Sequence, residues 1–417
     1  MRARPIGGIV EPTPACARRR RGRPFFAIEG TPNMTATPSR PSAPASAHPL
    51  RAALALALAA IVGSAVAAPP QYHLTVLETP PDGSNVTVTD INDAGQIVGH
   101  YQNADFVRVA ALWDENGVHP LDVPAGIDID GIATAINNAG QIVGTATDFS
   151  SGVAALLWNV ADPGPFTVIS NVSGEAATPN DINDAGVVAG GKGGFGTGAP
   201  SRAFVWTAAG GLVDYGLQDE TMPDQQARWN GLNNAGKLVG HWNVHSSSVH
   251  AVVGQVGVPQ VSSMSAMTED FASIATAVND EGTAVGLGVG AEPVLVPIVF
   301  AADGTYTEIP GATLDQPNGG AIAINAAGVI VGTAGIGTAS GIVPGQRAWV
   351  HVDGVSYDLY QHVDDTGGFT RFSNAVAINA HGVIVGTGRL ADDSIGSFML
   401  TPIVAETIFA DGFDALD

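Results

Sequence analysis

The densest cluster of side chains able to bind or react lies near the middle of the chain, where Trp229, His241, Trp242, His245 and His250 fall within 22 residues. Alternate residues of a strand share a face, so His241 and His245 would present two imidazoles together. Zinc requires three or four convergent ligands, and this pair supplies only two. No acidic residue accompanies them at a telling spacing, and no metal site is assigned. Trp242 beside them could stack on a sugar or aromatic ligand. Trp229, His241, Trp242 and His245 are therefore the ligand-binding candidates. The plainer alternative is a pair of solvated loop histidines beside packing tryptophans.

Other chemistry is sparse. Asp128 with Asp130, Asp364-Asp365 and Asp392-Asp393 are acidic pairs, but none has the alternating oxygen ligands of a calcium loop. A carboxylate pair converging across a cleft would suit glycoside cleavage, and spacing along the chain cannot test it, because separate repeats meet only in three dimensions. Gly186 to Lys192 approaches a phosphate-binding loop, yet Gly193 stands where Ser or Thr would hold magnesium, and no helix follows. No His-Glu-x-x-His helix, Gly-x-Ser-x-Gly elbow or EF-hand loop is present. No catalytic residue and no cofactor is assigned, and the chain is expected to be no enzyme.

The charge is unevenly placed. Residues 1–68 hold nine arginines against Glu11 and Glu29, whereas 69–417 hold 8 basic and 37 acidic residues. So acidic a body argues against nucleic-acid binding, which needs a basic face. The lone cysteine, Cys16, also lies in the leader, which excludes disulfides and zinc thiolates from the rest. Arg51 precedes an apolar run, Ala52 to Val62, and then small residues with an Ala65-Val66-Ala67 cleavage pattern. Residues 1–68 therefore read as a leader, with 34–68 a signal peptide cleaved near Ala67 and 1–33 upstream sequence from a mis-assigned start. The apolar run is too short to span a bilayer, so no transmembrane segment is expected in the mature chain. Residence is expected to be extracellular or periplasmic.

The elements that must position any site are repeats. An Asn-x-x-Gly-x-x-x-Gly frame recurs seven times. Its asparagines are Asn92, Asn137, Asn183, Asn233, Asn279, Asn325 and Asn379, and its first glycines are Gly95, Gly140, Gly186, Gly236, Gly282, Gly328 and Gly382. Asn followed three residues later by Gly marks a type I turn closing through a positive-φ glycine, so each frame is a tight β-hairpin. The second glycine, Gly99 in the first repeat, marks close backbone approach or a bend. Adjacent apolar pairs such as Ile97-Val98 and Ile142-Val143 point to opposite faces, so both faces of each sheet must be covered.

A third strand follows in most repeats, as in Ala110 to Trp113 and Ala203 to Trp206, and then a glycine turn and a short fourth strand. The asparagines are 45 to 54 residues apart, and four antiparallel strands in that length make one propeller blade. The longest intervals follow Asn183 and Asn325, where glycine-rich insertions at 191–200 and 333–346 read as loops. The seventh repeat stops after three strands near Pro402, and residues 72–77 resemble the missing fourth. The expected fold is all-β: a propeller over 69–404, with seven blades of four strands closed by the N-terminal strand 72–77.

The alternation of Arg202-Ala203-Phe204-type strands with Ile-Asn-x-x-Gly hairpins resembles the HAF repeats of bacterial extracellular proteins, over roughly residues 70–404. That resemblance implies a secreted or surface protein and supplies no catalytic residues. The tail, 405–417, resembles a short end motif of exported proteins, with an end strand packing on the last blade as the alternative. The expected function is a non-catalytic binding or interaction module for an unknown protein or glycan partner. A structural envelope protein, or a propeller hydrolase or lyase acting on polysaccharide, are the alternatives.

Overall fold

The computed structural model describes residues 69–403 apart from the segments 125–129, 149–151, 172–173, 195–201, 216–226, 246–247, 265–271, 290–293, 302–304, 317 and 336–344. The leader, the tail and Asp128 lie outside the described residues. The rest is β-structure with one 3-10 turn, Leu359–Gln361.

Each repeat forms a hairpin for the reason its spacing suggests. The N–H of Asn92 donates to the Gln96 carbonyl at 3.0 Å, and the N–H of Gly95 to the Asn92 carbonyl at 3.1 Å. All seven first glycines have φ between 74° and 82°, a region costly for residues with a Cβ. The asparagine does more than tolerate the turn. In every repeat its side-chain oxygen accepts the N–H four residues on, from Gln96 in the first to Val383 in the seventh.

The second glycine is forced by a different contact. The first strand of each hairpin bulges three to four residues before the asparagine, for example between Val88 and Asp90 and between Ala133 and Ala135. The bulge drives a backbone carbonyl against the partner strand. A Cβ on Gly99 would overlap the Thr87 carbonyl, and one on Gly144 the Ile132 carbonyl.

The strands fall into seven four-stranded antiparallel groups among the described residues, two of which share one sheet. Blade 1 is Ser84–Ile91, Ile97–Gln102, Arg108–Asp114 and Gly117–Pro120. Blade 2 runs from Asp130 to Ser170, blade 3 from Glu175 to Tyr215 and blade 4 from Ala227 to Ser263. Blade 5 runs from Ser273 to Glu308 and blade 6 from Gly319 to Asp358. Blades 2 and 3 touch through one parallel pair, Ala176 with Val153. Blade 7 takes Phe369–Ile378, Ile384–Leu390 and Ile395–Pro402 from the C-terminal end, and its outer strand is Tyr72–Val76. Tyr72 opposes Pro402 and Val76 opposes Phe398 in antiparallel register, which removes an open edge.

The core sits between blades rather than within one. Val98 and Leu112 of blade 1 pack on Ala133, Ile142 and Trp158 of blade 2. Val86 and Trp113 of blade 1 pack on Ala377 and Val385 of blade 7, completing a circle of seven interfaces. This is why adjacent residues on one strand are both apolar. Burying such a side chain contributes about 1.5–3 kcal/mol. No helix of the described residues is long and apolar enough to cross a membrane.

Candidate functional site

The seven asparagines meet at the axis. Each side-chain Nδ2 donates to the backbone carbonyl of the next blade's asparagine at 2.8–3.2 Å, and Asn379 closes the circle on Asn92. The ring surrounds a funnel of about 200 Å³, lined also by the residue before and after each asparagine. A second circle runs through the following residues. The N–H groups of Asp93, Asn138, Asp184, Asn234 and Ala380 donate to the side-chain oxygens of Asn138, Asp184, Asn234, Asp280 and Asp93 at 2.8–2.9 Å. It lapses at Ala326 and at Ala380, which have no side-chain oxygen to offer the N–H groups of Asp280 and Ala326.

One residue deeper than the aliphatic collar lie two carboxylates, Asp90 of blade 1 and Asp181 of blade 3. Asp90 accepts the N–H of Ile91 at 2.8 Å and, across the blade boundary, that of Ile136 at 2.9 Å. Asp181 accepts the N–H of Ile182 at 2.8 Å and that of Leu232 in blade 4 at 2.7 Å. Each oxygen thus spends one lone pair on an amide and keeps another for a proton. Withdrawal from water raises the Asp90 carboxyl to about 7 against the pull of its amide bonds, and the Asp181 charge adds to the rise. Burial raises Asp181 to about 6. Carboxyls raised by burial toward neutrality can each hold or release a proton near pH 7, as acid–base groups must.

The bulge residues tie this wall together. Thr89, Thr134, Asn180, Asn230 and Thr276 each donate to a backbone carbonyl of the next blade at 2.6–2.9 Å.

The cluster predicted from sequence divides. Trp229 is 1% exposed and packs edge-on against Tyr215 at 5.8 Å, and Trp242 is also buried in the interface with blade 3. Neither offers a ring face to a ligand. The side chain of His245 lies outside the described residues. His241 is half-buried, opposite Arg228 in register, and its Nδ1 accepts from Asn230 Nδ2 at 3.1 Å. Burial, and then the Arg228 charge, lower its pKa to about 4. Asp130 is tied to Arg108 at 2.6 Å, Asp364 to His73 at 2.6 Å, and Asp392 bonds Ser394 at 2.5 Å. No cluster of three or more metal-ligating side chains occurs among the described residues.

The axial carboxylates were overlooked in sequence. Their position, two residues before the asparagine, is Ala135, Gly231, Ala277, Ala323 and Ala377 in the other five repeats. Ionisable residues at a position otherwise held by Ala and Gly were a legible signal.

No family model matches this chain, and no curated protein matches it. Solved structures do, and they place the fold among β-propellers. Oligogalacturonate lyase from Vibrio parahaemolyticus is 10% identical over 80% of this chain and 96% of its own, with a TM-score of 0.53. A puromycin hydrolase mutant is 13% identical over 78% of this chain and 54% of its own, with a TM-score of 0.52. A prolyl endopeptidase is 11% identical over 74% of this chain and 46% of its own, also at 0.52. This chain thus spans about half the length of the peptidases it matches. The expectation of a non-catalytic module, and of no enzyme, is corrected here. Chains sharing this propeller are named as a hydrolase, an endopeptidase and a lyase.

Proposed function

We propose that this chain is an exported enzyme that cleaves an oligosaccharide by acid–base chemistry, with Asp90 and Asp181 as its proton-transferring pair. The observation that carries the reading is the pair itself: two carboxylates, in blades 1 and 3, each accepting a backbone amide of the next blade and both raised by burial toward neutral pH. The lyase supports a sugar substrate over a peptide. It is matched along nearly all its length, whereas about half of each peptidase lies beyond the match. In an elimination, the ionised carboxylate of the lower pKa, Asp181, takes a carbon-bound proton. The sugar C–O bond breaks as a C=C bond forms, and protonated Asp90 delivers its proton to the departing oxygen. The basic, apolar leader and the HAF-repeat resemblance support export.

The test is turnover of a panel of acidic and neutral oligosaccharides by the full chain, read as absorbance of unsaturated product and as new reducing ends. Cleavage of one substrate class, lost in Asp90→Asn and Asp181→Asn while both variants stay folded, is expected. Full activity in both variants, or no cleavage of any sugar, would overturn the reading.

A further inference from the structure

Among the described residues, the seam between blades 3 and 4 carries a cation with no counterion. Arg228 lies on the innermost strand Ala227–Leu232, where half-buried Arg228 and Asn230 alternate with buried Ala227, Trp229 and Gly231. Arg108, Lys192 and Arg347 each pair with an aspartate. The Arg228 side chain makes no hydrogen bond or ion pair with any described residue, although burial lowers its pKa. An uncompensated, partly buried charge is costly, and a fold keeps one where something else supplies the anion.

The surroundings are shaped for it. Gly191 of blade 3 leaves room for the side chain: a Cβ there would stand 3.0 Å from Arg228 Nε and 3.2 Å from its Cγ. The equivalent positions in the other blades carry His100, Thr145, His241, Leu287, Thr333 and Thr387, so this seam alone has a glycine there to seat the long side chain. Asn230 donates one N–H to the Ala275 carbonyl and another to His241 Nδ1. His241 Nδ1 is thereby fixed as the acceptor, and the neutral ring carries its proton on Nε2 as a donor. A guanidinium and an oriented imidazole N–H on paired strands recognise a planar anion.

We propose that Arg228 and His241 form a subsite for the carboxylate of a uronate unit in the substrate. The inference rests on the oligosaccharide reading above and deepens it. Leu232, whose N–H holds Asp181, lies four residues along the strand from Arg228, about 13 Å at strand rise. The recognised carboxylate therefore belongs to a unit removed from the bond being cut, and the substrate is an oligomer. The acidity of the chain does not forbid this. Its repulsion is screened over about 8 Å at physiological salt, and Arg228 itself is a cation.

Isothermal titration of the full chain in the Asp90→Asn background tests this without turnover, because Asp90 lies in blade 1, away from the seam. The probes are trigalacturonate, uncharged maltotriose and triglycine, which carries a free carboxylate on a peptide. Trigalacturonate is expected to bind in preference to both. Adding Arg228→Gln should weaken it about 10- to 100-fold, the scale of a lost charged hydrogen bond, with Arg228→Lys intermediate. His241→Phe gives a second variant should Arg228→Gln fail to fold, and it should weaken binding by a smaller factor. Unchanged affinity in folded Arg228→Gln or His241→Phe, no binding of trigalacturonate, or preference for triglycine would overturn the subsite. Turnover in Asp90→Asn would instead count against the acid–base pair and leave the subsite standing.

Discussion

Blades 1 to 5 and blades 6 to 7 are built from the same repeat and put it to different use. In the first arc the bulge residues are Thr89, Thr134, Asn180, Asn230 and Thr276, each bonded to the next blade, and both axial carboxylates lie here. In the second arc the same positions are Ile322 and Val376, and the residues after the ring asparagines are Ala326 and Ala380. That arc has other means of cohesion. Phe372 lies 4.2 Å from Phe398 and 5.5 Å from Tyr360, ring centre to ring centre, and the strand Tyr72–Val76 seals blade 7. Joining the two chain ends is the demanding task of a closed ring. The arc that does so is packed with aromatics, and the arc relieved of it carries ionisable groups that a core would exclude.

The comparison breaks first if activity does not reside in the polar arc. Asp181→Asn or Asp90→Asn should lower kcat by roughly 100- to 10,000-fold, the span of general acid–base contributions, in steady-state kinetics on the substrate found. Phe372→Ala should destabilise by about 3–5 kcal/mol in urea unfolding, with kcat of the folded fraction unchanged. Equal losses of stability and activity from both arcs would erase the distinction. The clasp is common to both, so Asn137→Ala and Asn325→Ala should each cost about 1–3 kcal/mol for the bonds abandoned. The smallest change is a gain. Ala326→Asn supplies the acceptor missing for the Asp280 N–H and should stabilise by about 0.5–1.5 kcal/mol.

Acidity adds a signed test. Both axial carboxyls bind their proton more tightly folded than unfolded, where the value is 3.8. The folded state therefore holds extra protons between about pH 4 and 7, and the stability these give is full below about pH 4 and lost as pH rises through 6 and 7. Asp90→Asn should flatten that fall in a series of urea titrations.

Much of the fold was legible because backbone geometry demands particular residues. Positive φ requires Gly95 and its six equivalents, and the bulge leaves no room for a Cβ at Gly99. The closing strand was legible because the last repeat lacks one. The candidate site was not, for two reasons. Trp229 and Trp242 sit among polar neighbours and read as surface, yet a blade is covered on both faces and the rings are core. Asp90 and Asp181 each stand out as a departure from Ala and Gly at one repeat position, but the influence of one on the other, across 91 residues of sequence, arises only when the blades are arranged around an axis. The ring asparagine was read as a turn former, and its bond to the next blade cannot be seen within one repeat.

The central claim is that two axial carboxyls are poised near neutral pH. Infrared or carbon-13 NMR titration of the aspartate carboxyls in wild type, Asp90→Asn and Asp181→Asn tests it most directly. Two groups titrating near 6 and 7 are expected, each lost in one variant, with the Asp90 value falling when the Asp181 charge is removed. Carboxyls that all titrate below about 5, as ordinary aspartates do, would contradict the account.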